Sequence, residues 1–325
     1  MQRTVRRAAA RVLAASVLWR LVCVVTLVSS THTQTAFDTS GALLRETIPG
    51  AADEAAWNTW AVPFVRWDTV YFVGMAHPQS GYVYEQMLAF QPGIVGVLRW
   101  LGSSIHLPWS PTRAVLSTVL LANLLSCLSP VLLYVLTRYQ LGSEKLALRA
   151  ALFSIAAPAS GTALSSPTPE PFFSFLALLG LTCLCWDRAP RLARLGAAVC
   201  FAGATFFRAN GVLWSGFLVW HALWRPWIRR VPRSGVAWVG DTLMAAGCVL
   251  LVWLPLALQQ AFAYVHLCPG RPWCQDAVPL PYSYIQAAYW DVGLGRYWTL
   301  AQVPNFVLAA PVLLMGAWAS VAQCA

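Results

Sequence analysis

Runs of apolar residues divide the chain into segments that are long enough to cross a bilayer as helices. A membrane-spanning helix needs about 20 mostly apolar residues. The first such run, residues 8–30, follows the basic start MQRTVRR, and we interpret it as a retained signal anchor. Further span-like runs cover residues 113–137, 146–166, 169–186, 195–223, 235–258 and 304–321. We read 195–223 as a hairpin of two short helices, and the whole pattern predicts an all-α polytopic transmembrane bundle.

Two features depart from simple spanning helices. Residues 88–101 are apolar but too short to span, and Pro92 and Gly93 interrupt them. This pattern predicts a re-entrant or interfacial helix. Arg20 lies inside the first apolar run, where a charge costs about 2.5–3.5 kcal/mol at the bilayer centre, so we expect it to face the protein interior.

Composition supports the membrane interpretation. Of the 325 residues 58% are hydrophobic and only 10% are charged, whereas soluble domains carry about 25% charged residues. The net charge of +10 comes from arginines at the ends of hydrophobic runs, as the positive-inside rule expects. Such arginines describe topology, and a nucleic-acid partner is not predicted.

The positive-inside rule also assigns faces to the loops. A cytoplasmic N-terminus places residues 31–87, the first long loop, on the opposite face. That loop contains six acidic residues, namely Asp38, Glu46, Asp53, Glu54, Asp68 and Glu85. The basic connections at 138–149, 188–194 and 225–233 are then cytoplasmic. The same parity gathers Asp68, Glu170, Arg208, Asp291 and the loop 259–303 on one face, provided that 88–101 does not cross.

Nine cysteines are scattered along the chain without a C-x-x-C pair or a zinc-like Cys/His spacing, so no metal site is predicted. Cys268 and Cys274 lie together in the polar loop sequence CPGRPWC. In an oxidising compartment they would form a small disulfide loop, although two free thiols fit the sequence equally well.

Four blocks of sequence resemble the GPI mannosyltransferase 2 family. RWDTVYFVGMAHPQSGYVYEQMLAFQPG (66–93) resembles the family's first luminal loop, and FFRANGVL (206–213) resembles its Arg-Ser-Asn-Gly motif, with Ala209 in place of serine. Residues 272–298 resemble its last large luminal loop, and QVPNFVLAAPV (302–312) resembles the helix that follows. The order and spacing of these blocks fit the family over most of residues 60–315.

The resemblance implies a GT-C fold, with residues 1–325 as a single membrane-embedded glycosyltransferase domain. Within it, 88–258 would form the helical bundle, and 304–321 would be the last span of a C-terminally truncated chain. The implied activity is transfer of the second mannose, in α-1,6 linkage and with inversion, from dolichyl phosphate mannose to a GPI precursor. The implied location is the luminal face of the endoplasmic reticulum membrane. The donor is the only small molecule implied, without a cofactor, and a small membrane partner subunit is a further expectation.

Roles for the charged residues follow from this reaction. An inverting transfer needs one base for the attacking hydroxyl, for which we propose Asp68, with Glu85 as alternative or orienting partner. Arg208, and second to it Arg66, would bind the donor phosphate. Contacts to the sugars or the acceptor would come from Trp67, Asp291, Glu170 and Asn210.

Each of these residues also has a structural interpretation. Asp68 precedes TVYFVGMA and is suited to cap a helix, and Glu170 follows Pro169 at a predicted helix start, where it complements the helix dipole. Arg208 could instead extend to lipid headgroups, Arg66 could pair with a loop carboxylate, and Asp291 could cap a helix. A non-catalytic subunit of GPI assembly is the alternative function. A transporter fits less well, since the polar residues gather on one face.

Overall fold

The computed structural model describes residues 2–33, 60–103, 108–156, 161–186, 190–232 and 234–324. These residues form helices and connecting turns, without a strand among them. Asp38, Glu46, Asp53 and Glu54 of the first long loop lie outside the described residues. The chain divides into two compact units, residues 1–261 and 262–325. The prediction that the chain is one membrane-embedded glycosyltransferase domain stays a prediction.

The α-helices lie in the following order. They are α1 (Gln2–Thr33), α2 (Thr69–Ala76), α3 (Gly93–Gly102), α4 (Pro111–Leu141), α5 (Glu144–Ile155), α6 (Glu170–Cys183), α7 (Pro190–Phe207), α8 (Ser215–Val219), α9 (Arg225–Ile228), α10 (Gly235–Leu267), α11 (Pro281–Trp290) and α12 (Val303–Cys324). Short 3₁₀ helices cover Val62–Phe64, Glu85–Ala89, Ala209–Trp214, Pro272–Gln275 and Leu300–Gln302, and a π-helix covers Trp220–Trp224.

Four helical segments are long and apolar enough to cross a membrane, namely Val5–Thr31, Pro111–Leu141, Gly235–Leu267 and Leu300–Ala322. They correspond to the predicted spans 8–30, 113–137, 235–258 and 304–321. The protein is a polytopic helical membrane protein, as its sequence predicts. The more specific GT-C assignment stays a prediction.

Helix α4 is the central element of the first unit, where it packs against α1, α3, α5 and α6. Residues at its two ends account for its bounds. Ser110 caps the first turn and Pro111 occupies the first helical position. Gly142 ends the helix in a left-handed conformation with a φ of 63°. Arg20 of α1 is only 5% exposed and donates to the hydroxyl of Ser165 (3.4 Å). The prediction that Arg20 faces the protein interior is confirmed.

Two predicted boundaries differ from the structure. The expected span 146–166 is wrong, because α5 ends at Ile155. Pro158 disfavours a helical conformation in the residue before it, which accounts for an early end. The loop predicted to begin at residue 259 begins after Leu267, since α10 continues that far. Gln259 is buried on α10 and donates to the Phe90 carbonyl (3.4 Å).

The short helix α3 confirms that the apolar stretch 88–101 contains no full span. Its 10 residues extend about 15 Å. Arg99, in its last turn, donates to the carbonyls of Met75 (3.0 Å) and Ala76 (3.3 Å), which end α2. Helix α2 itself contributes Val70, Phe72 and Val73 to a buried cluster shared with α3 and α4. Helix α2 is thereby held in place by the helices beside it.

Helices α6 and α7 form an antiparallel pair. Phe172 near the start of α6 stacks on Phe207 at the end of α7, with ring centroids 4.7 Å apart. Further along, Gly180 lies so close to Phe201 that a Cβ atom on the glycine would come within 2.4 Å of the Phe201 ring. This close packing sets the alignment of the two helices. It brings the start of α6 to the residue that follows α7.

Candidate active site

Asp68 stands at the start of α2, after a turn in which Trp67 adopts a left-handed backbone conformation. The φ angle of Trp67 is 55°, a region that bulky side chains seldom occupy and that costs about 1–3 kcal/mol. The N–H of Val70 donates to the Trp67 carbonyl (3.2 Å), which closes the turn. Trp67 is 72% exposed. The turn therefore holds an exposed aromatic ring on the residue adjacent to Asp68.

The carboxylate of Asp68 does not cap the helix. Asp68 has helical backbone angles (φ −58°, ψ −21°), and its side chain accepts no hydrogen bond from the first turn of α2. A capping residue usually has an extended backbone, from which its side-chain oxygen reaches the second or third N–H of the helix. The capping interpretation that the sequence left open is therefore wrong.

Arg208 and Glu170 form an ion pair between a guanidinium nitrogen and a carboxylate oxygen. Glu170 opens α6 and Arg208 follows the last residue of α7, so the antiparallel packing of these helices brings the two side chains together. The side chain of Arg208 is 45% exposed and that of Glu170 is 33% exposed. The pair therefore remains accessible to a ligand.

Gly211 makes the turn after Arg208 possible. Its N–H donates to the Arg208 carbonyl (2.9 Å). A Cβ atom at position 211 would lie 2.5 Å from the backbone nitrogen of Thr205 and 2.6 Å from its Cα, distances that no side chain tolerates. The chain can fold back over the end of α7, and so orient Arg208, only because residue 211 is glycine.

Asp68, Glu170 and Arg208 share one electrostatic environment. Loss of solvation raises the pKa of the Asp68 carboxyl above its ordinary value, the charge of Glu170 raises it further, and the charge of Arg208 opposes both effects. Asp68 retains accessible surface, so the raised pKa reflects protein atoms crowded around the carboxyl and not complete burial. Such mutual effects require short separations. The structure thus brings together three of the residues that the sequence placed on one face.

The arrangement combines two chemical capacities. A carboxylate with a raised pKa is a stronger proton acceptor than an ordinary aspartate. An accessible guanidinium binds phosphate oxygens in bidentate fashion. A base and an anion-binding group close to one another suit the transfer of a group from a phosphate to a hydroxyl.

Three further candidates lie in the same unit. Glu85 opens the 3₁₀ helix Glu85–Ala89 and is buried, and the charges that shift Asp68 are those of Glu170 and Arg208. Arg66 is half-buried and makes no ion pair with a carboxylate within the described ranges. Asn210 is exposed in the turn beside Gly211.

The remaining candidates lie in the second unit. Asp291 ends α11 in a left-handed conformation with φ 51°, and the N–H of Val292 closes that end on the Gln286 carbonyl (3.0 Å). Its side chain is exposed. Cys268 and Cys274 are joined by a disulfide bond, with Cα atoms 5.8 Å apart. The roles proposed for all these residues in the reaction stay predictions.

The described part of the chain offers no grouping of metal ligands. There, no three His, Cys, Asp or Glu residues gather in a group that could hold a metal ion. The expectation that the reaction needs no cofactor stays a prediction.

Sequence reasoning did not pair Glu170 with Arg208, although it placed both on one face. The two residues are 38 positions apart, and their contact depends on the register of α6 against α7. One signal was present, since a charge at the edge of an apolar run is costly unless it is paired or functional. That signal marks each residue but does not name its partner.

Comparison with known proteins gives a consistent result. GPI mannosyltransferase 2 of Cryptococcus neoformans (strain JEC21) is 31% identical over 291 residues, which is 85% of this chain and 64% of that protein. GPI alpha-1,6-mannosyltransferase 2 of Cricetulus griseus is 34% identical over 288 residues, which is 78% of this chain and 56% of that protein. The chain thus spans less than two thirds of these relatives' own length.

A more distant relative fits the same pattern. GPI mannosyltransferase 2 of Schizosaccharomyces pombe is 28% identical over 284 residues, covering 84% of this chain and 56% of that protein. No solved structure matches the chain. The model of the family described as mannosyltransferase (PIG-V) matches residues 10–324, which is nearly the whole chain and includes Asp68, Glu170 and Arg208. The chain therefore belongs to the PIG-V mannosyltransferase family.

Proposed function

We propose that the protein transfers mannose in α-1,6 linkage from dolichyl phosphate mannose to a GPI-anchor precursor, on the luminal side of the endoplasmic reticulum membrane. Family membership and the names of its relatives support this activity. The observation that carries the proposal is the convergence of Asp68, Glu170 and Arg208 at one end of the α6–α7 pair.

Asp68 acts as the base. The acceptor hydroxyl gives its proton to the Asp68 carboxylate while its oxygen forms a bond to the anomeric carbon of mannose. The bond from that carbon to the phosphate oxygen breaks, and dolichyl phosphate leaves as an anion. Attack opposite the leaving group inverts the anomeric carbon. A raised pKa suits this role, because proton transfer is most efficient when the pKa of the base approaches the working pH.

Arg208 binds the departing phosphate. Its planar guanidinium offers parallel donors to phosphate oxygens, and charge developing on the leaving group strengthens the interaction as the bond breaks. Glu170 fixes the guanidinium before the donor arrives. On this proposal Glu170 is a positioning residue, and it also contributes to the raised pKa of Asp68.

Other residues of the site are proposed to contact the sugars of the substrates. The exposed Trp67 ring provides a flat apolar face, of the kind that stacks on sugar rings, next to the base. Asn210 offers hydrogen bonds to hydroxyl groups. The GPI precursor and the dolichol-linked donor both lie in the membrane, and a small membrane partner subunit remains part of the proposal.

The decisive experiment compares two aspartate variants in a strain that lacks the second GPI mannose, and in microsomes prepared from that strain. Asp68→Asn removes the base while preserving shape. We expect it to lower mannosyl transfer about 100-fold or more, the usual contribution of general base catalysis, with protein amount and membrane insertion unchanged.

Asp276→Asn is the matched control, since Asp276 is an exposed loop residue with no ion pair among the described residues. It should transfer mannose at the rate of the unaltered protein. A non-catalytic subunit of GPI assembly would tolerate Asp68→Asn, so full complementation by that variant would reject the enzyme proposal.

A further inference from the structure

A second cationic site lies at the other end of the α6–α7 pair. An open cavity of about 590 Å³ is bounded by the start of α7, the segment 220–231 and the first turns of α10. Its volume lies within the range of about 300–1,000 Å³ that is typical of ligand sites. Its ionisable lining residues are Arg191, Arg194, His221, Arg225, Arg229 and Asp241.

This cavity is separate from the candidate active site. Arg191 and Arg194 lie in the first turns of α7, whereas Arg208 follows its last residue. The 18 residues of α7 extend about 27 Å. A molecule bound in the cavity therefore does not take part in the chemistry proposed at Asp68.

Arg194 lines the cavity and has one N–H group that is not hydrogen-bonded within the described ranges. It is 7% exposed. Its Nε donates to the Pro190 carbonyl (3.2 Å) and one Nη donates to the Asp241 carboxylate (2.8 Å). Its other Nη is buried and has no hydrogen-bond partner within the described ranges. A buried charged donor without a partner is costly, and an anion in the cavity would satisfy it.

The start of α7 favours an anion for a second, independent reason. The first N–H groups of a helix have no partner inside the helix, and the helix dipole places partial positive charge there. Acidic side chains commonly occupy such a turn, yet the first turn of α7 contains none and includes Arg191. The residues of this turn, Pro190, Arg191, Leu192 and Ala193, line the cavity, and Arg191 adds positive charge to it.

The opposite wall carries three more basic side chains at four-residue intervals. His221, Arg225 and Arg229 all line the cavity, as residues on one helical face do. A π-helix covers Trp220–Trp224, and its last hydrogen bond runs from the N–H of Arg225 to the Trp220 carbonyl. Pro226 lacks an N–H and crowds the preceding turn, which explains the wider π turn. Such turns are frequent at functional sites.

The excess of positive charge in the cavity lining favours an anionic ligand. The described lining contains four arginines and a single carboxylate, Asp241, which Arg194 already pairs. Arginines forced together in a partly apolar cavity repel one another, so an anion with more than one oxygen stabilises them. Phosphate matches the guanidinium fork. The apolar lining, which includes Leu184, Trp186 and Pro226, suits the glycerol and acyl portion of a lipid.

We propose that this cavity binds the phosphate group of an anionic membrane lipid. The bound lipid stabilises the junction of α7, α9 and α10 and holds this end of the bundle at a fixed depth in the bilayer. The proposal does not depend on mannosyl transfer, because it concerns different residues and is tested by binding.

Variants of Arg225 and Arg229 test the site better than variants of Arg194. Loss of Arg194 would break its buried ion pair with Asp241, which destabilises the fold for an unrelated reason. Arg225 and Arg229 form no ion pair among the described residues. The double variant Arg225→Gln/Arg229→Gln therefore removes two charges and leaves the buried pair intact. Arg149→Gln, an exposed arginine of α5, is the matched control.

Binding is measured by thermophoresis on the purified full chain in a neutral detergent, with three probes. Dioctanoyl phosphatidic acid carries the phosphate on a lipid, inorganic phosphate carries it free, and dioctanoylglycerol lacks it. We expect phosphatidic acid to bind and dioctanoylglycerol not to bind. The double variant should raise the Kd for phosphatidic acid at least tenfold, while Arg149→Gln changes it less than twofold. Parallel loss of phosphate binding in the double variant would add support.

Three results would overturn the proposal. One is a double variant that binds phosphatidic acid as the unaltered protein does, and another is equal loss of binding in Arg149→Gln. The third is binding without a requirement for the lipid phosphate, seen either as equal affinity for dioctanoylglycerol or as binding of inorganic phosphate by a protein that does not bind phosphatidic acid.

Discussion

Substitution of Gly211 by alanine tests whether the geometry around Arg208 depends on the close approach seen in the structure. The added Cβ would meet the Thr205 nitrogen at 2.5 Å, its Cα at 2.6 Å and its Oγ1 at 2.7 Å. Two of these atoms belong to the backbone of α7, so rotation of a side chain cannot relieve the clash. Overpacking of this kind costs about 1–3 kcal/mol.

Gly216→Ala provides the matched comparison. Gly216 lies five residues away in α8, and a Cβ at that position would meet no atom within 4 Å. Alanine there should be neutral or stabilising by up to about 1 kcal/mol, because glycine is the poorer helix former. The two variants should therefore differ by about 1–4 kcal/mol. With about 2–4 °C of unfolding temperature per kcal/mol, Gly211→Ala should unfold about 2–16 °C below Gly216→Ala.

The two variants should also differ in activity. The backbone of Gly211 bonds to the carbonyl of Arg208, so relief of the clash displaces the guanidinium from the candidate site. A displacement of about 1 Å can lower a rate by about 100-fold. Both variants are measured in detergent for unfolding and in microsomes for mannosyl transfer. Equal unfolding temperatures and equal rates for the two alanine variants would refute this account of the turn.

Two further predictions concern the pH dependence of transfer and the loop closed by Cys268 and Cys274. In the proposed mechanism Asp68 is a base only when ionised, so transfer should fall as the pH drops through its raised pKa. Glu170→Gln removes a charge that raises this pKa and should shift the acidic limb of the relative rate to lower pH. An unchanged limb or a shift to higher pH would contradict the assignment of Arg208 and Glu170 as the electrostatic neighbours of Asp68. The Cys268–Cys274 bond closes a loop with a sequence separation of 6, so replacing both by serine should lower the unfolding free energy by about 2 kcal/mol. Thiol labelling of the denatured protein should reveal two additional thiols after reduction, and equal labelling before and after would show that the bond is absent.

Local sequence patterns predicted the long helices well. Apolar runs with charged ends identified α1, α4 and α12 to within a few residues. They also identified the start of α10, but this helix continues to Leu267, beyond the predicted end at residue 258. The break at Pro92 and Gly93 identified α3 as too short to span, and the cost of charge in a bilayer predicted the buried position of Arg20. These features follow from hydropathy and from rules that act over a few neighbouring residues.

Features that depend on long-range packing were not predictable in the same way. The span expected over 146–166 failed because hydropathy does not register the effect of Pro158 on the helix before it. The π-helix at Trp220–Trp224 involves an unusual hydrogen-bond register that apolar periodicity does not signal. The ion pair of Glu170 with Arg208 depends on the alignment of two helices, which the glycine and aromatic contacts between them determine.

The lengths of α6 and α7 bear on where their charged ends lie in a bilayer. The 14 residues of α6 extend about 21 Å and the 18 residues of α7 about 27 Å, against a hydrocarbon core of about 30 Å. A pair this short cannot hold both ends outside a core of that thickness, so the bilayer thins around it or one charged end lies at the level of the acyl chains. A charge at that depth requires a partner. Among the described residues, Arg208 pairs with Glu170, whereas Arg194 pairs with Asp241 and keeps one buried Nη without a hydrogen-bond partner. Anions carried on lipids reach such positions more readily than soluble ones.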